Sequence, residues 1–218
     1  MRTVAFIPIK LNSERLPGKN IKCFDNGEPL VVYPLKTALK VEAFDEIYVY
    51  CSSEEIIRYL PDGVKFLKRP TSLDLSSTSI SEVISMFVQA VDADIYALMH
   101  ATAPFLHENS IERGVKALKQ GEHDSALAVK KHYDFIWKNG KPDNYDVHNI
   151  PRTQDLEPFY IETTGLYIFS RELAKLQRRI GDTPYLIEVS DIEAIDINEP
   201  ADFEIANAIF NHILLKKI

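Results

Sequence analysis

Eleven residues near the start of the chain, Lys10-Leu-Asn-Ser-Glu-Arg15-Leu-Pro-Gly-Lys19-Asn20, carry three cations and a Pro-Gly turn. Cations this close together suit an anion. The loop directly follows the apolar run Val4 to Ile9, which reads as a strand. In open α/β sheets, ligands settle outside the carboxyl ends of strands, so the loop sits where a substrate belongs. It contains one glycine and matches neither G-x-x-x-x-G-K-[ST] nor G-x-G-x-x-G, which removes support for a P-loop NTPase or a Rossmann dehydrogenase. By residue type and position alone it is either a phosphate site or a solvated basic turn.

Other chemistries find little footing. No H-x-x-x-H or H-x-E pair occurs among the six histidines, so zinc catalysis lacks its ligands. No G-x-S-x-G elbow is present. Cys23 and Cys51 have no metal or disulfide-framework spacing, which fits structural thiols in a reducing compartment. A net charge of −7 argues against a broad nucleic-acid surface.

The elements that must position the loop follow from the hydrophobic pattern. The 218 residues, 45% apolar and 26% charged, suit one α/β domain with a single sizeable core. Apolar runs at Val4 to Ile9, Glu46 to Cys51, Val64 to Leu67, Ile95 to His100 and Ser125 to Lys130 alternate with amphipathic stretches at Leu30 to Val41, Glu54 to Leu60, Ser81 to Val91 and Ser110 to Gln120. That alternation predicts βα units and a mainly parallel, Rossmann-like sheet flanked by helices. Ser52 with Glu55, Ser79 with Glu82, and Asn109 with Glu112 have capping-box spacing.

The polar segment 132–158, with Pro142, Pro151 and Pro158 and scattered aromatics, breaks the alternation and reads as an irregular arm inserted in the domain. Tyr160 to Phe169 then predicts a return strand, Glu172 to Arg179 a helix, Tyr185 to Val189 and Ile192 to Ile197 strands, and Pro200 to Leu215 an amphipathic helix whose stripe includes Phe203, Phe210 and Ile213. The first residues lack a cleavable leader pattern and no apolar run reaches about 18 residues, so the expectation is a cytoplasmic protein without a membrane span.

The run Ile7-Pro8-Ile9-Lys10, followed by Asn12-Ser13 and Leu16-Pro17-Gly18-Lys19-Asn20-Ile21, resembles the signature loop of the sugar-acid cytidylyltransferases. This is the family of the CMP-N-acetylneuraminate and CMP-Kdo synthetases, whose pattern is I-P-A-R, a short polar stretch, then L-P-x-K-N. Further matches follow in the family's order: Pro29-Leu30, Arg69-Pro70 with a Ser/Thr run behind it, Ala101-Thr-Ala-Pro104-Phe-Leu, Arg152-x-Gln154 with Tyr160, Gly165-Leu-Tyr167-Ile168, and Ile195-Asp196-Ile197 before Asp202-Phe203.

The resemblance implies that a sugar-acid hydroxyl attacks the α-phosphorus of CTP and that pyrophosphate leaves, with Mg²⁺ and cations neutralising the charge that builds. Lys19 and Asp196 become the expected catalytic residues. Lys10, Asn12, Ser13, Arg15, Lys19 and Asn20 are expected at the nucleotide, with Arg69 and Ser79 at its base. His100, Thr102, Arg152, Gln154, Tyr160 and Thr164 are expected at the acceptor, and Asp196 with Asn198 at the metal.

Bland roles compete with several of these: a surface charge for Arg15, a surface ion pair for Arg69, a helix cap for Ser79 and Asn198, and a dimer salt bridge for Arg152. Four positions depart from the family: Lys10 for its arginine, His100 for an amide, Thr164 for asparagine and Asn198 for aspartate. The resemblance also implies a homodimer that exchanges the arm 132–158. The readings kept open beside CMP transfer are another donor or acceptor and a nucleotide-binding regulator without turnover.

Overall fold

The computed structural model describes residues 1–214. Its strands are β1 (Thr3–Ile9), β2 (Glu46–Cys51), β3 (Val64–Lys68), β4 (Ile95–Met99), β5 (Ser125–His132), the small hairpin β6 (Trp137–Lys138) and β7 (Lys141–Pro142), β8 (Phe159–Ser170) and β9 (Pro184–Glu188). The helices are α1 (Val32–Ala38), α2 (Ile80–Ala90), α3 (Glu108–Gln120), α4 (Arg171–Lys175) and α5 (Pro200–Ile209). Seven strands form one sheet in the order β3-β2-β1-β4-β8-β5-β9. Only β8 runs against the others, pairing antiparallel with β4 and β5.

Burial on both faces explains the near-continuous apolar character of β1 and β4. On one face Ala5, Ile7 and Val49 pack with Leu35 of α1 and Ile111 and Val115 of α3. On the other, Phe6, Leu98 and Phe169 pack with Ile84 and Phe87 of α2 and Leu173 of α4. A third, smaller cluster joins Leu16, Phe24 and Leu30 to Ile197, Phe203 and Phe210. It clamps the basic loop after β1 to the segment that precedes α5, and Phe24 stacks on Phe203 at 4.5 Å. The chain leaves β1 toward β2 on one side and meets β4 on the other, which opens a crevice at their carboxyl ends.

Several expectations are corrected. Glu54–Tyr59 is a 3-10 segment, and α4 is short because Gln177 adopts a left-handed conformation at φ +58°. The predicted strand Ile192 to Ile197 is a turn: Ser190 and Glu193 exchange hydrogen bonds, and Ala194 N–H donates to Ser190 C=O. Of the three capping boxes, only Ser79 with Glu82 forms as read. Ser53 replaces Ser52 as a cap, since the Ser52 hydroxyl binds Asp74. His107 caps α3, and Glu112 instead accepts from Ala43 N–H. In the terminal helix, Leu215 and the side chain of Ile213 lie outside the described residues.

The arm lies between β5 and β8 and carries the β6–β7 hairpin. Tyr133, Phe135, Trp137, Val147 and Ile150 are all exposed on it.

Candidate functional site

A cleft of about 280 Å³ opens at the carboxyl ends of β1, β3 and β4. Lys10, Ser13, Lys19 and Asn20 reach it from the loop after β1, Arg69 from the end of β3, and His100 and Thr102 from the end of β4. Leu73, Leu75, Ile80 and Val83 form its apolar wall. Seven of the residues singled out in the sequence therefore meet in one place.

Gly18, at φ +66°, turns the chain into the 3-10 segment Lys19–Ile21, a backbone conformation that glycine adopts without steric cost. That turn sends Lys19 inward. It is 8% exposed, and its Nζ donates to Ile197 C=O at 2.7 Å. Burial lowers the Lys19 pKa while the charge of Asp196 opposes the shift. Asn20 Nδ2 donates to Lys10 C=O at 3.0 Å, leaving its buried Oδ1 without a partner.

Arg69 is 4% exposed and held by Asp74, so its ion pair is buried and not at the surface. Its backbone N–H donates to Cys51 C=O, and its buried Nε has no partner. Ser79 does not line the cleft; it caps α2. Asn12 is exposed and also off the lining. Arg15 lies in an adjoining hollow with Lys10, Ser13 and Lys19.

Asp196 stands where the third cluster meets the β4 loop. Ile197 N–H donates to Thr102 C=O, tying the segment to that loop. Asp196 Oδ2 accepts from Thr164 Oγ1 at 3.0 Å and from Asn198 Nδ2 at 2.6 Å. Its Oδ1 is buried and unpartnered. Such an orphaned carboxylate oxygen is what a cation or a donor would satisfy.

Asn198 does not cap α5. Glu199 is the N-cap, and Asp202 in the first turn reaches back to accept from the backbone N–H groups of Asn198 and Glu199, bonds that lower its pKa. The side chain of Asn198 is a bridge instead, because its Oδ1 accepts from Arg15 Nη2 at 2.7 Å. That oxygen is directed at a guanidinium, and the donor side of the amide faces Asp196. Among the described residues no group of three His, Cys, Asp or Glu is arranged around a metal position.

His100 forms the far wall. Its backbone N–H donates to Gly165 C=O, and a Cβ on Gly165 would come within 2.8 Å of Ala103 Cβ, so this approach requires glycine. His100 Nε2 is buried without a partner, and burial brings the imidazole pKa down to about 4, which keeps the ring neutral at pH 7. Thr164 sits at φ +58°, an outlier for a β-branched residue, beside its bond to Asp196. Two residues on this side to which sequence reading gave no role are Tyr167, quoted only within a motif, whose ring lies 6.3 Å from that of His100, and Arg179, whose guanidinium lies 3.9 Å over the Tyr167 ring.

The remaining residues expected at the acceptor are elsewhere in this single chain. Arg152 is exposed and binds Asp155 through Nε and Nη2 at 2.7 and 2.9 Å. Gln154 lines a separate hollow with Tyr133, and Tyr160 donates to Glu188 at 3.1 Å.

The model of one protein family, described as "Cytidylyltransferase", matches residues 4–189. A bifunctional pseudaminic acid cytidylyltransferase and UDP-2,4-diacetamido-2,4,6-trideoxy-beta-L-altropyranose hydrolase of Helicobacter pylori is 26% identical over 220 residues, covering 95% of this chain and 42% of that protein. A pseudaminic acid cytidylyltransferase of Campylobacter jejuni is 27% identical over 230 residues, covering 97% of this chain and 98% of the relative. The chain spans about half the length of the first curated relatives it matches. Among solved structures, that of a CMP:2-keto-3-deoxy-manno-octonic acid synthetase complexed with CTP aligns over all of both chains with a TM-score of 0.73 at 14% identity, which speaks to the fold.

Proposed function

The chain belongs to the cytidylyltransferase family, and we propose that it transfers CMP from CTP to an acidic sugar of the 2-keto-acid class, releasing pyrophosphate. One observation carries this reading: Lys10, Lys19 and Arg69 converge on one cleft, and Lys19, bonded to Ile197 C=O, ties it to the segment of Asp196, whose Oδ1 is buried and unpartnered. Three cations around a small volume suit a triphosphate, and the apolar wall of Leu73, Leu75 and Ile80 suits a base.

In this reading the acceptor hydroxyl forms a bond to the α-phosphorus and gives up its proton. The bond from that phosphorus to the bridging oxygen breaks, and pyrophosphate departs with the electron pair. Lys19 and Lys10 stabilise the charge on the phosphoryl oxygens, where fixed donors in a partly dry site act strongly. Lys10, in place of the family's arginine, makes point contacts without a planar fork. Asp196 is the residue that would hold Mg²⁺, which would supply Lewis-acid charge neutralisation. Thr164 and Asn198 orient its carboxylate, and Asn198 keeps Arg15 beside the triphosphate. Ser13 and Asn20 offer further donors, and Asn20 Oδ1 an acceptor for a ribose hydroxyl.

The exposed aromatics of the arm suit burial against a second copy. Such a dimer would bring Arg152, Gln154 and Tyr160 to the neighbouring site; a monomeric mass by light scattering at micromolar concentration counts against it.

The test is pyrophosphate release from CTP, UTP, GTP and ATP with a panel of N-acetylneuraminate, pseudaminate and Kdo. Turnover with CTP and at least one acid is expected, lost in Asp196→Ala. CTP binding without turnover on any acid would favour a regulator, and full activity of Asp196→Ala would remove the metal assignment.

A further inference from the structure

We propose that Arg179 binds the carboxylate of the acceptor sugar, beside His100 on the wall built by β4 and β8. The inference rests on the proposed transfer to an acidic sugar and deepens it.

Arg179 is half-buried and makes no hydrogen bond or ion pair among the described residues. Its neighbours in sequence behave otherwise: Arg171 holds Asp92 and Arg178 holds Asp182. Arg152, the other arginine considered for this role, already spends two nitrogens on Asp155. Its nitrogens keep contact with solvent, so the guanidinium is free to take an anion bidentately.

What holds Arg179 in place is the ring of Tyr167. That ring is 1% exposed and anchored at its far end, where its hydroxyl donates to Glu162 Oε2 at 2.7 Å. A guanidinium stacked on an aromatic face keeps the N–H groups of its edge available for a bidentate carboxylate. Tyr167 is opposite Leu98 in the β4–β8 ladder, and its ring lies 6.3 Å from that of His100, which lines the cleft.

His100 supplies the second observation. Its buried Nε2 has no partner, and the Arg179 charge is among the influences that keep the ring neutral. In a 2-keto-acid sugar the carboxylate and the reacting hydroxyl are attached to the same carbon. Gripping the carboxylate at Arg179 therefore brings that hydroxyl toward His100 and the cleft beyond it. A neutral sugar would leave the guanidinium unmet, which makes the site selective for acids.

The experiment is steady-state pyrophosphate release with CTP and the three acids, using wild type, Arg179→Ala, Arg179→Gln and Arg152→Ala. Loss of a charged bidentate contact is expected to raise KM for the accepted acid roughly 10- to 100-fold, with KM for CTP changed by less than about twofold. Wild type should prefer the acid to its methyl ester by a similar factor. Arg179→Ala should lose that preference, and millimolar guanidinium ion should partly restore the acid's KM. Arg179→Gln keeps a shorter polar side chain at the position and carries the same test if the alanine variant does not fold. An unchanged KM in a folded variant, or an equal loss on acid and ester, overturns the inference. A wild type that turns over no acid at all overturns the proposed function and this inference with it, before any variant is compared.

Discussion

Replacing Asn198 by aspartate probes how the proposed metal position is balanced. Asn198 Nδ2 donates to Asp196 Oδ2 at 2.6 Å, and Asn198 Oδ1 accepts from Arg15 Nη2 at 2.7 Å. Asn198→Asp keeps the second contact and turns the first into two facing carboxylate oxygens. A hydrogen bond to a charged group, about 1.5–3 kcal/mol, is lost. Two like charges some 4 Å apart add up to about 4 kcal/mol at an effective dielectric near 20, much of it relieved by rotation or by sharing a proton. The stronger pair with Arg15 returns no more than about 1 kcal/mol, because that side chain is 61% exposed. The net is a loss of roughly 1–3 kcal/mol without divalent metal, or a Tm lower by about 3–10 °C for a chain of this size. Mg²⁺ should reverse the order of effect, since two carboxylates bind a hard cation better than one, and a ligand stabilises the protein that binds it more tightly. The assay is thermal melting in EDTA and across a MgCl₂ titration. An Asn198→Asp protein that melts at or above wild type in EDTA, or identical Mg²⁺ shifts for the two proteins, would refute the reasoning.

Three further outcomes are expected. Lys19→Met, which keeps the volume of a buried side chain whose pKa burial already lowers, should leave Tm within about 3 °C of wild type yet reduce pyrophosphate release by roughly 100-fold or more; near-normal turnover would remove Lys19 from the chemistry. Thr164→Asn exchanges a β-branched residue at φ +58° for one that tolerates this conformation, so differential scanning calorimetry should show stabilisation by about 1 kcal/mol, and a lower Tm would contradict the strain. Because the folded pKa of His100 is brought down to about 4 from an ordinary 6.5, the unfolded chain takes up a proton first as pH falls. His100 thus contributes full stability above pH 6.5 and loses it between 6.5 and 4, by about 3 kcal/mol, a slope that denaturant melts should find absent in His100→Gln.

What the sequence made legible depends on how local each signal is. The basic loop could be read because Lys10 to Asn20 is contiguous and follows an unmistakable apolar strand, and Arg69 and His100 because each sits at the end of a strand. The order of apolar runs also carried the mainly parallel sheet. The cap expected of Asn198 falls one residue later, on Glu199 with Asp202, because the Asn198 side chain is taken by Asp196 and Arg15. Caps slipped by a residue or two wherever a second group competed, as when Asp74 takes Ser52.

Arg179 left no trace in the sequence because its distinction is relational. It lies in an Arg-Arg pair of which Arg178 finds Asp182, and nothing in their spacing tells which one is left without a carboxylate. Only the ladder that sets Tyr167 opposite Leu98 brings the ring under that leftover charge close to His100. Thr164 marks the opposite case, where a departure visible in the sequence acquires its physical meaning from the fold. The family's asparagine suits a left-handed backbone, and this chain holds threonine there at a cost of about 1–3 kcal/mol, constrained by the bond to Asp196 and by the contact between Gly165 and the His100 backbone. Strain held at the residue that orients Asp196, next to a buried imidazole with an unmet nitrogen, locates the adjustable part of this site on the side proposed for the acceptor. The loop proposed for the triphosphate, with Gly18 turning Lys19 onto Ile197, keeps the family's frame. Differences in acceptor choice between this chain and its relatives should therefore trace to His100, Thr164 and Arg179, and exchanging those three residues should alter which acid is used while KM for CTP stays within about twofold.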